Sequence, residues 1–530
     1  MKRRDILKAL GLGVGAVTLY GSEILSLRSL PIALGQESIP GRQKTNIIII
    51  NVDDLGWTDL SCYGSQYYET PNIDRLAAQG MRFTDGYASC AVCSPTRASI
   101  MTGRYPARTG LTDWIHHLDR KAHTAIGKGV NPIEYVATED RPLLCPPNPY
   151  WMELDELTIA EMLKPAEYVT CHIGKWHLGH FWWYPDKQGF DINIGGCEIG
   201  QPPTYFDPYY QHPRRSSIPT LRPRKQGEYL TDREADEAVR FIEEHKDGPF
   251  FLHMCPYAVH TPLEAKEQLV AKYAKKKPTN HNKPVYAAMI ESVDRLVGSI
   301  MDILDRMDLT ERTLVIFTSD NGGLLGHSTD NAPLRSGKGY PYEGGIRVPL
   351  IVRWPKMIQP GSSCDTPAIS VDFFPTVCEA AGVELPQDRD IDGESLVPIL
   401  SQKGSLSREA IYWHFPHYRG DVVPYSIIRK DSWKLIKRYE GKTFELFDLE
   451  EDIGEKDDLS EQMPEKVKEL DSMLDEWLKT TNAKLPIIRG LNNSGTVYAI
   501  TNNSGTVYAI TELKSDREVK TKEESRNQKD

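Results

Sequence analysis

Two apolar runs in this chain lead straight into side chains that can bind a cation. Ile47–Val52 runs into Asp53-Asp54, and Thr313–Ser319 runs into Asp320-Asn321. Adjacent carboxylates in low-dielectric surroundings repel one another unless a cation lies between them. Oxygen-only donors suit a hard ion, Ca2+ or Mg2+, over zinc. A single acidic pair is more often a solvated turn or a helix cap. Two sets at the ends of apolar strands are harder to dismiss. Two more apolar runs end near basic groups: Tyr168–Ile173 precedes Gly174-Lys175-Trp176-His177, and Phe250–Met254 precedes His260-Thr261-Pro262. Lys338 lies in the glycine-flanked loop Ser336–Gly339. Taken singly, such a His or Lys is structural or solvated. Grouped around a metal, the set could hold an anionic ester and donate a proton to its leaving group.

A nucleophile is available in Cys93-Ser94-Pro95-Thr96-Arg97. Pro95 fits the first turn of a helix, which places Cys93 at or beside the positive helix end. With Arg97 one turn on, that position draws negative charge, whether a thiolate or a bound anion. The plainer alternative is a buried structural cysteine. A nucleophile beside a hard metal and a basic anion pocket fits hydrolysis of a sulfate or phosphate ester.

The elements that must position these groups alternate as in α/β proteins. Strands are expected at Ile47–Val52, Tyr168–Ile173, Phe250–Met254 and Thr313–Ser319, and helices at Glu156–Lys164, Asp232–His245 and Tyr286–Met307. In an open α/β sheet, ligands bind outside the carboxyl ends of the strands, where the groups above fall. Ala122–Pro149 is proline-rich and reads as a long loop near the site. From about Glu409 the pattern shifts to shorter strands, Tyr425–Arg429 and Trp433–Tyr439, closed by a helix over Pro464–Leu478. The segment Asn492–Ile500 recurs as Asn502–Ile510. Two copies are too few for a solenoid, so the repeat is a local duplication or a hairpin. The division expected is a signal over 1–35, a catalytic domain over 44–405, a smaller α+β unit over 406–485, and a partly disordered tail over 486–530.

Hydrophobic residues are 40% and charged residues 26% of the 530, which excludes wholesale disorder. A net charge of −11 argues against a non-specific nucleic-acid binder. Beyond the amino-terminal segment no apolar run reaches membrane-spanning length. That segment has a basic start (Lys2, Arg3, Arg4), an apolar stretch over Ile6–Tyr20 and small residues at Ala33–Gly35, the layout of an export signal. Lys2–Lys8 is similar to a twin-arginine signal, which implies a bacterial periplasmic or secreted protein exported already folded. The nine cysteines are an odd number, so at least one thiol is unpaired or chemically altered, and none forms a zinc-type double pair.

The stretch Ala91-Val-Cys-Ser-Pro-Thr-Arg-Ala-Ser-Ile-Met-Thr-Gly103 resembles throughout the first signature of the type I sulfatases of the alkaline-phosphatase superfamily. Tyr168–His177 resembles the second signature, with Glu167 where a glycine is usual, a departure that touches turn geometry and not chemistry. Asp320–Gly323 and Gly344–Pro349 are also family-like, and the resemblance spans roughly residues 44–480. It implies an α/β fold with a large mixed sheet between helices and a small antiparallel carboxyl-terminal sheet. It implies too that a maturating enzyme converts Cys93 to formylglycine, whose hydrate attacks sulfur with one hydroxyl and expels sulfate with the other. By position, Asp53, Asp54, Asp320, Asn321 and residue 93 would bind Ca2+ (or Mg2+), which polarises the sulfate oxygens. Arg97 and Lys175 would hold the formylglycine hydroxyls, with Asp320 helping to activate them. His177 would take the proton that drives sulfate release, and His260 and Lys338 would bind sulfate and assist the leaving oxygen. The substrate implied is a sulfated glycan or an aryl sulfate, with Trp114, His116, His117, Trp182, Trp183 and Tyr184 available to meet a sugar ring. A phosphonate or phosphate ester hydrolase of the same superfamily, or a non-enzymatic binder of sulfated glycans with Cys93 unmodified, are the alternatives.

Overall fold

A computed structural model describes residues 44–116, 120–138, 140–211, 216–491, 497–500 and 507–509. The signal-like segment 1–35, His117 and the charged end beyond Glu512 lie outside them. Eight strands form the main sheet: β1 (Asn46–Val52), β2 (Met81–Phe83), β3 (Val169–Gly174), β4 (Ile192–Ile194), β5 (Phe250–Cys255), β6 (Thr313–Ser319), β7 (Leu350–Arg353) and β8 (Ser362–Cys364). Their spatial order is β8-β2-β7-β6-β1-β5-β3-β4. From β6 to β4 the strands run parallel, and β7 pairs antiparallel with both β6 and β2. Ser319 stands opposite Val52, Met254 opposite Ile50, and Gly174 opposite Cys255, so the carboxyl ends of the four central strands are nearly level.

The apolar run of β1 is continuous because both faces of the sheet are covered. Ile48, Ile50 and Val52 join one core with Leu296, Val297 and Ile300 of the long helix α4 (Pro284–Arg306) and with α1 (Pro71–Ala78) and α3 (Leu230–Glu244). Ile47 and Ile49 join another with Ala98, Ile100 and Met101 of α2 (Cys93–Thr102) and with α5 (Phe373–Ala381). Each of these isoleucines is fully buried, worth about 1.5–3 kcal/mol relative to exposure. Among the described residues no helix is long and apolar enough to cross a membrane, and all nine cysteines are unpaired.

Two expectations are corrected. The helix expected at Glu156–Lys164 is only Ile159–Leu163, because Thr158 caps it: its hydroxyl accepts from Glu161 N and Glu161 Oε2 accepts from Thr158 N. The stretch expected to be a long loop holds a helix, Arg120–Lys128, and strands at Val136–Ala137 and Leu143–Cys145. Leu143 and Leu144 pair with Ile488 and Ile487, a partner too far along the chain for local periodicity to reveal. The repeated segment does form paired strands, Val497–Ile500 against Val507–Ala509, with Tyr498 opposite Ala509. Glu167 adopts φ 60 and ψ 28 just before β3. The left-handed backbone explains why glycine is usual there, and a side chain costs about 1 kcal/mol at that conformation.

A second sheet, antiparallel, is built from β9 (Ile411–Phe415), β10 (Tyr425–Lys430), β11 (Trp433–Arg438) and β12 (Thr443–Asp448), with α6 (Pro464–Thr480) against it. Its core takes in Cys90, Ala91 and Val92, the approach to α2, so this sheet buttresses the segment that presents Cys93. Buried charges tie the two parts together. Lys434 Nζ lies 2.9 Å from Glu343 Oε1 and 2.7 Å from Glu455 Oε1, and Arg347 Nε lies 2.7 Å from Glu343 Oε2. Burial opposes the charge on Glu343, but Lys434 and Arg347 hold its carboxyl well below the usual range. Burial pushes Glu455 up to about 7 despite Lys434. Lys434→Met would leave Glu343 with less compensation in the interior. It is expected to destabilise the protein by about 3–5 kcal/mol, read as a lower denaturation midpoint, while Lys466→Met on the surface of α6 shifts it by less than about 1 kcal/mol.

Candidate active site

The level strand ends bring the acidic groups into one place. Asp53 and Asp54 follow β1, Asp320 and Asn321 follow β6, and all four are buried. Asp54 N donates to Asp320 Oδ1 at 3.2 Å, and Asn321 Nδ2 donates to Asp54 Oδ1 at 2.8 Å. That leaves Asn321 Oδ1 buried with no hydrogen-bond partner. Each carboxylate has a basic clamp. Lys175 Nζ donates to both Asp53 oxygens at 2.9 and 2.8 Å, and Lys338 Nζ lies 2.7 Å from Asp54 Oδ1. Arg97 Nε donates to Asp320 Oδ2 at 2.8 Å, and Arg97 Nη1 donates to Lys175 O at the same distance. Burial, with the charges of Asp320 and Asp54, pushes Asp53 up to about 8 against Lys175 and Arg97. Burial also opposes the charge on Asp54, yet Lys338 and Lys175 hold it well below the usual carboxylate range. Three carboxylates and an orphaned amide oxygen, all oxygen donors, fit a hard divalent cation.

Cys93 opens α2, after Val92 in extended conformation. Its Sγ is 3.3 Å from His177 Nδ1, while His177 Nε2 is 2.9 Å from Ile115 O. A carbonyl can only accept, so Nε2 carries a hydrogen, and in the neutral ring Nδ1 then faces Cys93 as an acceptor. Asp54 (φ 61) and His177 (φ 57) both sit in the left-handed region that side chains avoid. His260 is held by similar logic. Its Nδ1 is 2.9 Å from Thr261 O, and its Nε2 is 3.0 Å from Lys338 Nζ and 3.5 Å from Asp54 Oδ2. Burial and the neighbouring Lys338 bring His260 down to about 3, so it is neutral and accepts from the lysine. His260, proposed from the sequence only as an anion binder, thus also stands with Asp53 and Asp54 in a group able to hold a metal. All the sequence-derived site residues meet in this one place.

The aromatic candidates divide. Trp183 is buried and stacks on Trp151 at 4.1 Å, and Tyr184 is buried with its hydroxyl bonded to Glu198, so both are structural. Trp182 is 55% exposed, and Trp114 is partly exposed with its ring 6.3 Å from that of His177.

Sequence reading missed a buried chain beneath the site. Cys255 Sγ is 3.1 Å from His253 Nε2, His253 Nδ1 is 3.0 Å from His172 Nδ1, and His172 Nε2 is 3.0 Å from Gly174 O. The terminal carbonyl fixes every proton: His172 donates to Gly174, His253 to His172, and Cys255 to His253. Burial brings His172 down to about 3 and pushes Cys255 up to about 12, so all three are neutral. The spacing of these groups would also admit a metal, but in this arrangement their ligand atoms satisfy one another. The chain ends on the backbone that carries Lys175, whose N donates to Cys255 O at 2.7 Å. Only the register pairing of His253 with His172 could have revealed it.

This fold and site define a protein of the alkaline-phosphatase-like class, with a cysteine at a helix start, a buried oxygen cluster and basic clamps at the strand ends. Comparison with known proteins narrows that class. Residues 45–383 match the sulfatase family model, and residues 337–484 match the model described as N-sulphoglucosamine sulphohydrolase, C-terminal. A sulfatase of Formosa agariphila is 32% identical over 541 aligned positions, covering 88% of this chain and 94% of that protein. N-acetylgalactosamine-6-sulfatase of Rattus norvegicus is 33% identical, covering 74% of this chain and 72% of that protein. The solved structure of Ps i-CgsB in complex with k-i-k-neocarrahexaose matches with TM-score 0.69 at 30% identity, covering 82% of this chain and 93% of that one. The chain belongs to the sulfatase family and is a sulfuric ester hydrolase.

The proton chain yields a prediction. Cys255→Ala leaves His253 Nε2 buried without its donor and should cost about 1–3 kcal/mol in chemical denaturation. Cys255→Ser supplies an O–H in its place and should recover most of that loss.

Proposed function

We propose that this chain removes sulfate from a sulfated carbohydrate or an aryl sulfate, with residue 93 matured to formylglycine and Ca2+ held by Asp53, Asp54, Asp320 and Asn321. The observation that carries this reading is the buried oxygen cluster, with its unpartnered Asn321 Oδ1, set among the same basic groups that surround Cys93. Bound there, Ca2+ would draw electron density from the sulfate oxygens. Formylglycine, as its hydrate, would supply one hydroxyl for sulfur and a second for release, which a plain thiol lacks.

The remaining steps belong to residues of the chain. Arg97 and Lys175, already braced on Asp320 and Asp53, orient the residue 93 hydroxyls. His177, as the neutral ring with its Nε2 hydrogen on Ile115 O, turns Nδ1 to residue 93 and so can take the proton whose loss frees sulfate. Lys338 holds the proton of the Lys338–His260 pair, so it is the source for the leaving oxygen, and His260 aims it. Partly exposed Trp114 offers a face for a sugar ring close to His177. The amino-terminal layout of basic start, apolar stretch and small residues supports export to the periplasm or beyond, with maturation and folding complete before transfer.

Two outcomes test the reading. Mass spectrometry of active enzyme should show residue 93 lighter than cysteine, and Cys93→Ala should lose turnover while still binding a sulfated ligand. Rates on matched esters should favour sulfate over phosphate. Fully active protein whose Cys93 alkylates with iodoacetamide would instead assign the chemistry to a thiolate. The metal assignment predicts that Asp320→Asn folds but loses more activity than the roughly 10–100-fold typical of an outer partner, and that exhaustive chelation stops the wild type until Ca2+ returns. Full turnover after chelation would remove the metal from the mechanism.

A further inference from the structure

Arg419 is a cation that the mechanism does not use. It lies in the turn between β9 and β10, whose backbone is closed by Arg419 N to Val422 O at 3.1 Å and Val422 N to Arg419 O at 3.0 Å. The same turn is pinned from outside, since Arg141 Nη2 donates to Gly420 O at 3.0 Å and Tyr340 Oη donates to Asp421 Oδ1 at 2.7 Å. The side chain lies over Gly339, the residue after Lys338. A Cβ built at Gly339 would stand 2.5 Å from Nε, 2.9 Å from Cδ and 3.4 Å from Cζ of Arg419. Glycine at φ 90 is therefore what lets a guanidinium rest there. Gly339 N in turn donates to Ala91 O at 2.8 Å, two residues before Cys93. Arg419 is thus placed against the loop that links Lys338 to the nucleophile segment.

The guanidinium is unspent. Arg97, Arg108, Arg347, Arg408 and Arg429 all form close ion pairs with aspartates. Among the described residues, no side chain or carbonyl accepts a hydrogen bond or ion pair from the guanidinium of Arg419, and the residue is only partly buried. The nearby acid that feels its charge is Asp113, whose own carboxylate accepts from Trp114 N at 2.8 Å. Asp113 leads directly to Trp114, the aromatic face beside His177. A planar fork of donors with no internal partner, seated on the glycine that follows Lys338 and close enough to Asp113 to act on its charge, has the chemistry of a second anion site.

We propose that Arg419 binds a second anionic group of the substrate, a sulfate ester or a carboxylate on the sugar next to the one that loses its sulfate. This rests on the reading of the chain as a glycan sulfatase, and it narrows the substrate class to polyanionic glycans. Arg419 is then a specificity residue, reached from the carboxyl-terminal sheet and distinct from the groups at sulfur.

The test compares kcat/KM of mature wild-type enzyme, Arg419→Ala and Arg419→Lys on defined disaccharides. One bears a single sulfate, one bears a second sulfate on the neighbouring sugar, and one bears a carboxylate there. Arg419→Ala should lower the ratio of doubly to singly charged substrate by about 10–100-fold, chiefly through KM, as expected for losing hydrogen bonds to a charged group. Arg419→Lys should restore part of it, because the charge remains while the fork is lost. The arm on which the ratio falls identifies the anion as sulfate or carboxylate. Wild-type turnover of these substrates with a ratio that Arg419→Ala leaves unmoved overturns the Arg419 site alone. Mature wild-type enzyme that turns over none of them overturns the glycan sulfatase reading and this site with it.

Discussion

The reaction centre depends on compensating three aspartates buried where water does not reach them. Asp53, Asp54 and Asp320 are at most 2% exposed, and burying an unpaired carboxylate costs several kcal/mol even after relaxation. The chain answers each with one base: Lys175 on Asp53, Lys338 on Asp54, Arg97 on Asp320. With all three acids ionised, three acids and three bases would sum to zero, and burial resists the last of these charges by pushing Asp53 up to about 8. A divalent cation added to this balance makes the pocket positive, which is what an anionic ester seeks and what a transition state spreading charge over its oxygens needs. The same pairings explain why each base does more than neutralise. A lysine or arginine held by a buried carboxylate has lost its freedom before substrate arrives, so little ordering remains to be done.

That balance is available only because four parallel strands end together. Parallel pairing in register sets the ends of β1, β6, β5 and β3 side by side, and the residues after them turn inward over one another. Left-handed backbone at Asp54 and His177 is part of this turning, and such conformations persist only where the surroundings over-determine them. At Asp54 three partners do so: Lys338, Asn321 and the bond from its own N to Asp320. The antiparallel sheet contributes from the other side, since its core includes Ala91 and Val92 and so seats the nucleophile segment rather than hanging from the domain as an appendage.

Hydrogen-bond direction sets how the histidines face their neighbours. Carbonyl oxygens cannot donate, so Ile115 O, Thr261 O and Gly174 O each dictate which nitrogen of a neighbouring histidine holds its hydrogen. As a result His177 turns Nδ1 toward residue 93, while on the other side His260 accepts from Lys338. The histidines are thus oriented by backbone groups that carry no charge of their own.

Several features were legible in the sequence because they are local. Buried parallel strands read as uninterrupted apolar runs, and Ile47–Val52 and Thr313–Ser319 are such runs, each followed at once by its metal-type donors. Cys93 at a helix start is likewise announced by Pro95 and Arg97 nearby. What periodicity could not show is which ends meet. The pairing of each acid with its base, the His172–His253 contact across β3 and β5, the burial of Trp183 and Tyr184, and the strand at Leu143–Cys145 all join residues distant along the chain. Nothing in the sequence singles out Arg419, and only the fold shows its seat on Gly339. Residue type and spacing determined the kind of chemistry. Strand register and packing decided which group faces which, because hydrogen bonds and ion pairs act over a few ångströms of space whatever the separation along the chain.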